Sequence, residues 1–170
     1  DFIAPDLLAR IGRMIAGSRF QSRADYDDHG AVFSEERTLD DREPVFSLLF
    51  WLFNQPELFE ALRRLTGLSA RIGHMNGRVY RMEPGSAHYD DWHDDVELGK
   101  EIGVSLNLSP EPLEGGGFQI RDRATEAVHR TIDSSRLGDM HVFRIDPALQ
   151  HRVLPVHGTV SRVAWAGWFC

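Results

Sequence analysis

His93-Asp94-Asp95 contains a His-x-Asp pair, and its chemistry depends on the backbone beneath it. In an extended strand, residues two apart project to the same side, so one imidazole and one carboxylate can meet on a single ion. His151 is the best candidate for a third ligand. It follows the glycine turn and apolar run Gly138-Asp139-Met140-His141-Val142-Phe143, and it opens the run His151-Arg152-Val153-Leu154-Pro155-Val156. Two imidazoles and one carboxylate make the facial set of iron(II) oxygenases, which leaves other coordination positions open. A keto acid can take two of these and dioxygen a third. A His-x-Asp pair also arises by chance among solvated acidic residues, so the surrounding chain must carry the case.

Arg162 stands beyond His151, at the head of the run Val163-Ala164-Trp165-Ala166-Gly167-Trp168-Phe169. A guanidinium suits a carboxylate because its planar fork donates two parallel charge-assisted hydrogen bonds. On a strand beside the distal histidine, it is placed to take the far carboxylate of 2-oxoglutarate.

The ordered set is more specific than any one motif. Gly85, His93-x-Asp95, Leu106-Asn107-Leu108-Ser109, Gly115-Gly116, Gly138-Asp139, His151-x-Val153-x-Pro155-Val156, Arg162 and Trp168-Phe169 follow one another in that order. In this the chain resembles the prolyl-hydroxylase-like superfamily of 2-oxoglutarate/Fe(II) oxygenases, over roughly residues 78–169. The resemblance implies a double-stranded β-helix (jelly roll). It implies that His93, Asp95 and His151 bind Fe(II), that Arg162 binds 2-oxoglutarate, and that dioxygen is consumed. The expected reaction hydroxylates an aliphatic carbon of an amino acid, a peptide or a protein residue, with succinate and carbon dioxide as co-products. Related halogenases carry a small residue in place of the carboxylate, so Asp95 favours hydroxylation.

Two departures from the family pattern stand out. Members often carry a co-substrate tyrosine before the Leu-Asn strand, and here Ser105 or Asn107 stands near that place. An aromatic residue is also common near Glu83, so Tyr80, Arg81 and Met82 are candidates for the pocket wall. Trp92 is a further candidate for the substrate wall, and Arg121 for a contact at the entrance. Trp165 and Trp168 read as core, and His88 and His141 as structural. Asp94 should face away from the ligands.

These residues need a scaffold. Ile3, Leu7, Leu8, Ile11, Met14 and Ile15 recur at helical spacing before Gly17. Residues 18–43 are polar, with Asp27-Asp28-His29-Gly30 suggesting turns or a mobile segment. Pro44 to Phe53 has the length of a buried helix. Asn54 and Glu57 resemble a capping box before a helix from Leu58 to Leu65 that ends at Gly67. Short β-like runs then follow near 71–74, 78–83, 101–108, 117–121, 127–132, 139–144, 151–156 and 160–169. The expected architecture is mainly β: one domain over 1–170, with a helical part about 1–70 backing a jelly-roll core about 71–170.

A formal net charge of −7 offers no general attraction to phosphate backbones, so nucleic acid is a poor default partner. Nucleic-acid demethylases of the superfamily carry a second arginine after the anchor, and none follows Arg162. No stretch has the ~20 apolar residues that span a bilayer, so no membrane partner is expected. With the single cysteine Cys170, no intramolecular disulfide can form, and the default compartment is the cytoplasm. The chain opens on Asp1 and not Met, which leaves room for a preceding leader or domain. The rival reading is a metal-binding jelly roll that senses or stores a ligand without turnover, and such a sensor has no need of Arg162.

Overall fold

A computed structural model describes residues 2–26, 32–85, 91–97, 99–133 and 136–170, apart from the side chains of 23–26 and 32–36. Three helices occur among the described residues: α1 (Pro5–Ala16), α2 (Pro44–Phe53) and α3 (Pro56–Thr66). Each begins with proline in its first turn, where a missing N–H costs nothing. Helix α1 buries Leu8, Ile11 and Ile15 along one stripe, and α2 buries Val45, Leu49 and Phe53 one turn apart. Gly67 ends α3 with φ of 66°, a left-handed conformation that glycine adopts without strain. No described helix is long and apolar enough to cross a membrane.

Eleven strands occur among the same described residues: β1 (Phe20–Tyr26), β2 (Val32–Leu39), β3 (Met75–Met82), β4 (Ile102–Asn107), β5 (Glu114–Gly115), β6 (Phe118–Asp122), β7 (Val128–Ile132), β8 (Met140–Arg144), β9 (Leu149–Val153), β10 (Val156–His157) and β11 (Arg162–Phe169). They form an antiparallel six-stranded sheet ordered β1-β2-β3-β11-β4-β8, a three-stranded sheet β7-β6-β9 and a short pair β10-β5. Phe118 of the small sheet packs against His141 and Phe143 of the large one, with ring centroids 4.3 and 4.9 Å away. The two sheets therefore face each other across the site.

Strand parity sorts the large sheet's side chains. Met75, Val79, Ile102, Val104, Leu106, Val163, Trp165 and Phe169 join the helices in one core cluster. Trp165 lies at its centre, 5.8 Å from the Phe46 ring and 5.6 Å from that of Phe53. The alternate positions face the small sheet. The pairings Arg162↔Met82, Ala164↔Tyr80, Ala166↔Ser105, Trp168↔Gly103 and Gly103↔Phe143 tile that inner face. Every residue of β4 is buried, because both of its faces are covered.

Several expectations need correction. The polar stretch 18–43 is not simply turns: it supplies β1 and β2, and β2 joins the sheet through Arg37↔Arg81 and Thr38↔Tyr80. The helical part about 1–70 is thus interrupted by a hairpin. The Asp27-Asp28-His29-Gly30 turn lies outside the described residues, as does His88. Residues 71–74 form no strand, and the run 151–156 is split into β9 and β10 around Pro155. The capping box does not form. Gln55 is the N-cap of α3, and Asn54 instead closes α2 and bridges to β3, accepting from Met75 N at 2.8 Å.

Candidate active site

The segment 91–95 reaches the small sheet at one isolated bridge. His93 N donates to His151 O at 3.1 Å, and His151 N returns the bond to His93 O at 2.9 Å. Directly opposed residues share a face, so both imidazoles point inward, with ring centroids 4.3 Å apart. Asp95, two positions on, joins them. One ligand atom from each of His93, Asp95 and His151 falls within 4.8 Å of the others.

The donor set fits a divalent transition metal. His93 Nδ1 lies 2.7 Å from the carbonyl of Asp91, so a proton there donates to that oxygen and leaves Nε2 for a metal. His151 Nε2 sits 3.2 Å from Asp95 Oδ2. Burial pushes the Asp95 carboxyl upward, but hydrogen bonds from His151 and from the Trp168 indole, with the nearby imidazoles, outweigh it and hold it below the ordinary value. Asp95 is therefore an anion at neutral pH, as a metal ligand must be.

Across the interior, Arg162 is 4% exposed and donates from Nη2 to Ser105 Oγ at 3.0 Å, with Nη1 3.7 Å from Met82 Sδ. Its side chain passes beside Gly116. A Cβ on Gly116 would stand 3.0 Å from Arg162 Cδ, and Gly116 has φ of 68°, so a larger residue there would be strained. His141 pairs with Ser105 on the same inner face. Burial first, then Arg162 and His151, depress its pKa to about 4, so the imidazole stays neutral. Phe143 follows two residues on, its ring 4.7 Å from His151. That ring lies over Gly103, where a Cβ would be only 2.2 Å from Phe143 Cζ.

Beyond Phe143 a cavity of about 360 Å³ reaches Asp95 and His151. Ile120, Phe143, Ile145 and Leu149 give it apolar walls, with Asp94, Arg144, Asp146 and Gln150 also lining it. Neither Arg162 nor Ser105 touches this cavity, so it meets the triad from a different direction than the arginine.

The structure therefore gathers His93, Asp95, His151, Arg162 and Ser105, and it places Tyr80 and Met82 on the same inner face. Asn107 also lies on that face, but its amide is committed locally, accepting from Ser109 N at 2.9 Å and donating to Arg136 O at 3.1 Å. Three other candidates are not brought in. Arg81 faces the helical side with its guanidinium 3.9 Å from the Phe20 ring centroid. Trp92 and Arg121 lie on the outer face of the small sheet. There Arg121 and Arg152 stand 4.5 and 4.4 Å from the Trp92 ring centroid. Asp94 turns its carboxylate to Arg123 at 2.7 Å, and it also lines the cavity that reaches Asp95 and His151. Sequence reading missed His141 and Trp168 as inner-face residues. Strand parity was the available signal, since Trp165 and Trp168 are separated by an odd number of positions and so cannot share a face.

Residues 77–170 match the family model described as the 2OG-Fe(II) oxygenase superfamily. The chain belongs to that superfamily. No curated protein sequence matches this oxygenase. Among solved structures it is similar to an oxidoreductase of the 2OG-Fe(II) oxygenase family from Burkholderia pseudomallei, with a TM-score of 0.72 at 16% identity, covering 99% of this chain and 80% of that one. A prolyl-4-hydroxylase from Pseudomonas putida gives 0.60 at 15% identity, over 95% and 97% of the two chains. A prolyl hydroxylase from Trichoplax adhaerens, in complex with a hypoxia inducible factor oxygen degradation domain peptide fragment, gives 0.65 at 15% identity, over 99% and 80%. The facing antiparallel sheets are thus the double-stranded β-helix of these oxygenases. The expected cofactors follow: Fe(II), with 2-oxoglutarate and dioxygen as co-substrates.

Proposed function

We infer that this oxygenase hydroxylates an aliphatic carbon of an amino acid, a peptide or a protein residue, using His93, Asp95 and His151 as metal ligands and Arg162 as the keto-acid anchor. The observation that carries this reading is the convergence of the triad's donor atoms within 4.8 Å, between sheets whose interior also holds the buried Arg162. Iron(II) with 2-oxoglutarate and dioxygen supplies the oxidising power, and the protein supplies binding, orientation and exclusion of side reactions.

Each residue then has a separable task. The two imidazoles and the Asp95 carboxylate would hold the metal, and a set of only three protein ligands would leave room for the keto acid and dioxygen. Arg162, already oriented by Ser105, donates its fork to the distal carboxylate. Neutral His141 lines the same wall without adding a second positive charge. Ile120, Phe143, Ile145 and Leu149 form an apolar berth next to Asp95 and His151, which suits an aliphatic group better than a charged one. A peptidyl substrate is supported by the bound peptide in the Trichoplax neighbour.

The test is turnover. Purified protein with Fe(II), ascorbate and 2-oxoglutarate is incubated with a panel of free amino acids and peptides. Succinate and a mass gain of one oxygen in a panel member are expected. Tight 2-oxoglutarate binding without oxygen incorporation across aliphatic, aromatic and basic substrates would falsify the hydroxylase reading.

A further inference from the structure

Arg162 shares its corner of the interior with two other polar side chains. Its Nη2 donates to Ser105 Oγ at 3.0 Å, so that hydroxyl accepts from the arginine and still has its own proton to donate. Ser105 is directly opposed to His141 in the pairing of β4 with β8. Opposed residues hold their Cβ atoms roughly 4.5–5.5 Å apart on one face of a sheet. Arg162 therefore reaches Ser105 from β11, on one side of β4, and His141 flanks it from β8, on the other. All three residues are buried. Phe118 covers the imidazole from the small sheet, with ring centroids 4.3 Å apart.

Strand parity explains why these residues face inward but not why they are polar. The inner-face positions around them carry Ala166, Gly103 and Phe143. Packing against Phe118 alone asks for an apolar side chain at position 141, since a buried polar group costs stability until it meets a polar partner. An anionic ligand gives the cluster its reason. A carboxylate has about four lone-pair sites, and in a buried corner the protein must supply the donors that water supplies outside. The guanidinium fork brings two, the Ser105 hydroxyl a third, and the imidazole a fourth, because either neutral tautomer keeps one N–H.

We propose that His141 is a co-substrate-binding residue: with Ser105 it completes the donor set that Arg162 begins, and so selects keto acids that carry a distal carboxylate. The inference rests on the reading of Arg162 as the keto-acid anchor. It goes beyond that reading by naming what discriminates between keto acids. One that ends in a methyl group leaves the Ser105 and His141 donors facing an apolar atom, and that mismatch counts against it.

Two ligands separate recognition from packing. 2-Oxoglutarate and 2-oxovalerate have the same chain length and the same metal-facing end, and differ in a carboxylate or a methyl at the far end. Wild-type protein and the variants His141→Leu, His141→Gln and Ser105→Ala are loaded with cobalt(II) and titrated with each acid under nitrogen, the visible absorption of cobalt reporting binding without turnover. His141→Leu should weaken 2-oxoglutarate about ten-fold and leave 2-oxovalerate within about two-fold. His141→Gln keeps an amide donor and should recover most of that loss. Ser105→Ala should weaken 2-oxoglutarate about three- to ten-fold, again without touching 2-oxovalerate. Equal loss of both acids in His141→Leu, or unchanged 2-oxoglutarate affinity, overturns the proposal. So does a glutamine variant that recovers none of the loss, since position 141 is then a packing position. If His141→Leu does not fold, His141→Asn takes its place, because its shorter amide stays polar yet falls short of the carboxylate. Selective loss of 2-oxoglutarate there supports the proposal, and equal or no loss ends it. An Arg162→Ala protein with undiminished 2-oxoglutarate affinity refutes the anchor, and wild-type protein that takes up no cobalt refutes the metal centre; both are separate failures.

Discussion

The two sides of the site are held in place by different means. Arg162 sits at the head of β11, which pairs along its length with β3 and over six residues with β4. Its position is set by sheet register, and its neighbours Ser105 and Met82 belong to paired strands. His93 and Asp95 lie on a segment joined to the small sheet through one bridge and are only partly buried. The proposed keto-acid side is thus fixed by backbone pairing. The metal side depends on side-chain clamps: Trp92 against Arg121 and Arg152, Asp94 against Arg123, and the Asp91 carbonyl on the His93 ring.

Breaking each side separately gives the largest effects. His151→Ala removes a proposed ligand and the partner of Asp95, so iron and cobalt binding should fall below detection in a metal titration. Arg162→Ala should leave metal affinity within about two-fold yet weaken 2-oxoglutarate by about ten- to a hundred-fold, the loss of a charge-assisted pair worth roughly 1.5–3 kcal/mol. Isothermal titration on the metal-loaded protein separates the two. An Arg162→Ala protein with wild-type 2-oxoglutarate affinity would show that the anchor lies elsewhere.

A smaller effect belongs to the wall between the two sides. His141 has its folded pKa near 4, below the unfolded value near 6.5. The unfolded chain binds the extra proton first as pH falls, so stability is fully present above pH about 6.5 and is lost as pH drops through about 4. The upper bound is about 3 kcal/mol, from roughly 1.4 kcal/mol for each pH unit that separates the folded and unfolded values. Urea melts at pH 7, 5.5 and 4.5 should show this slope in the wild-type protein and a flatter one in His141→Gln. Equal slopes in both proteins would place the acid sensitivity elsewhere.

The contrast between the two sides also decides what could be read from the sequence. The spacing His93-x-Asp95, the later His151 and the strand behind Arg162 were legible because extended backbone has a strict period of two. The same parity, applied to every neighbour, would have turned Trp92 outward, sent Arg81 to the opposite face from Tyr80 and Met82, and separated Trp168 from Trp165. Those misplacements came from weighing residues by type rather than by position. The hairpin β1-β2 was harder to see. Polar residues such as Gln21, Ser22 and Thr38 carry no alternating apolar signal, and the hairpin's place in the fold comes from pairing with β3, which is distant in sequence. Asn54 illustrates the same limit. Its local spacing fitted a cap, yet a hydrogen bond to Met75, twenty-one positions away, claims it.

The smallest of these effects tests whether the outer clamp serves the metal or merely the surface. Trp92 is next to His93 in sequence, and the bridge that places His93 opposite His151 sets Trp92 beside Arg152 on the far face. The arginines are themselves braced, Arg121 Nε by Gln150 at 2.9 Å and Arg152 Nε by Gln119 at 2.9 Å. A braced cation loses little freedom on stacking, so each contact should be worth about 0.5–1 kcal/mol or somewhat more. If the clamp orders the segment that carries two ligands, Trp92→Ala adds that ordering cost to metal binding, and cobalt affinity should drop about three- to ten-fold. Trp92→Phe, which keeps an aromatic face for both guanidinium groups, should recover most of it. A lower melting temperature with unchanged cobalt affinity would assign the clamp to the sheet alone, leaving the single bridge to hold His93 and Asp95 in place.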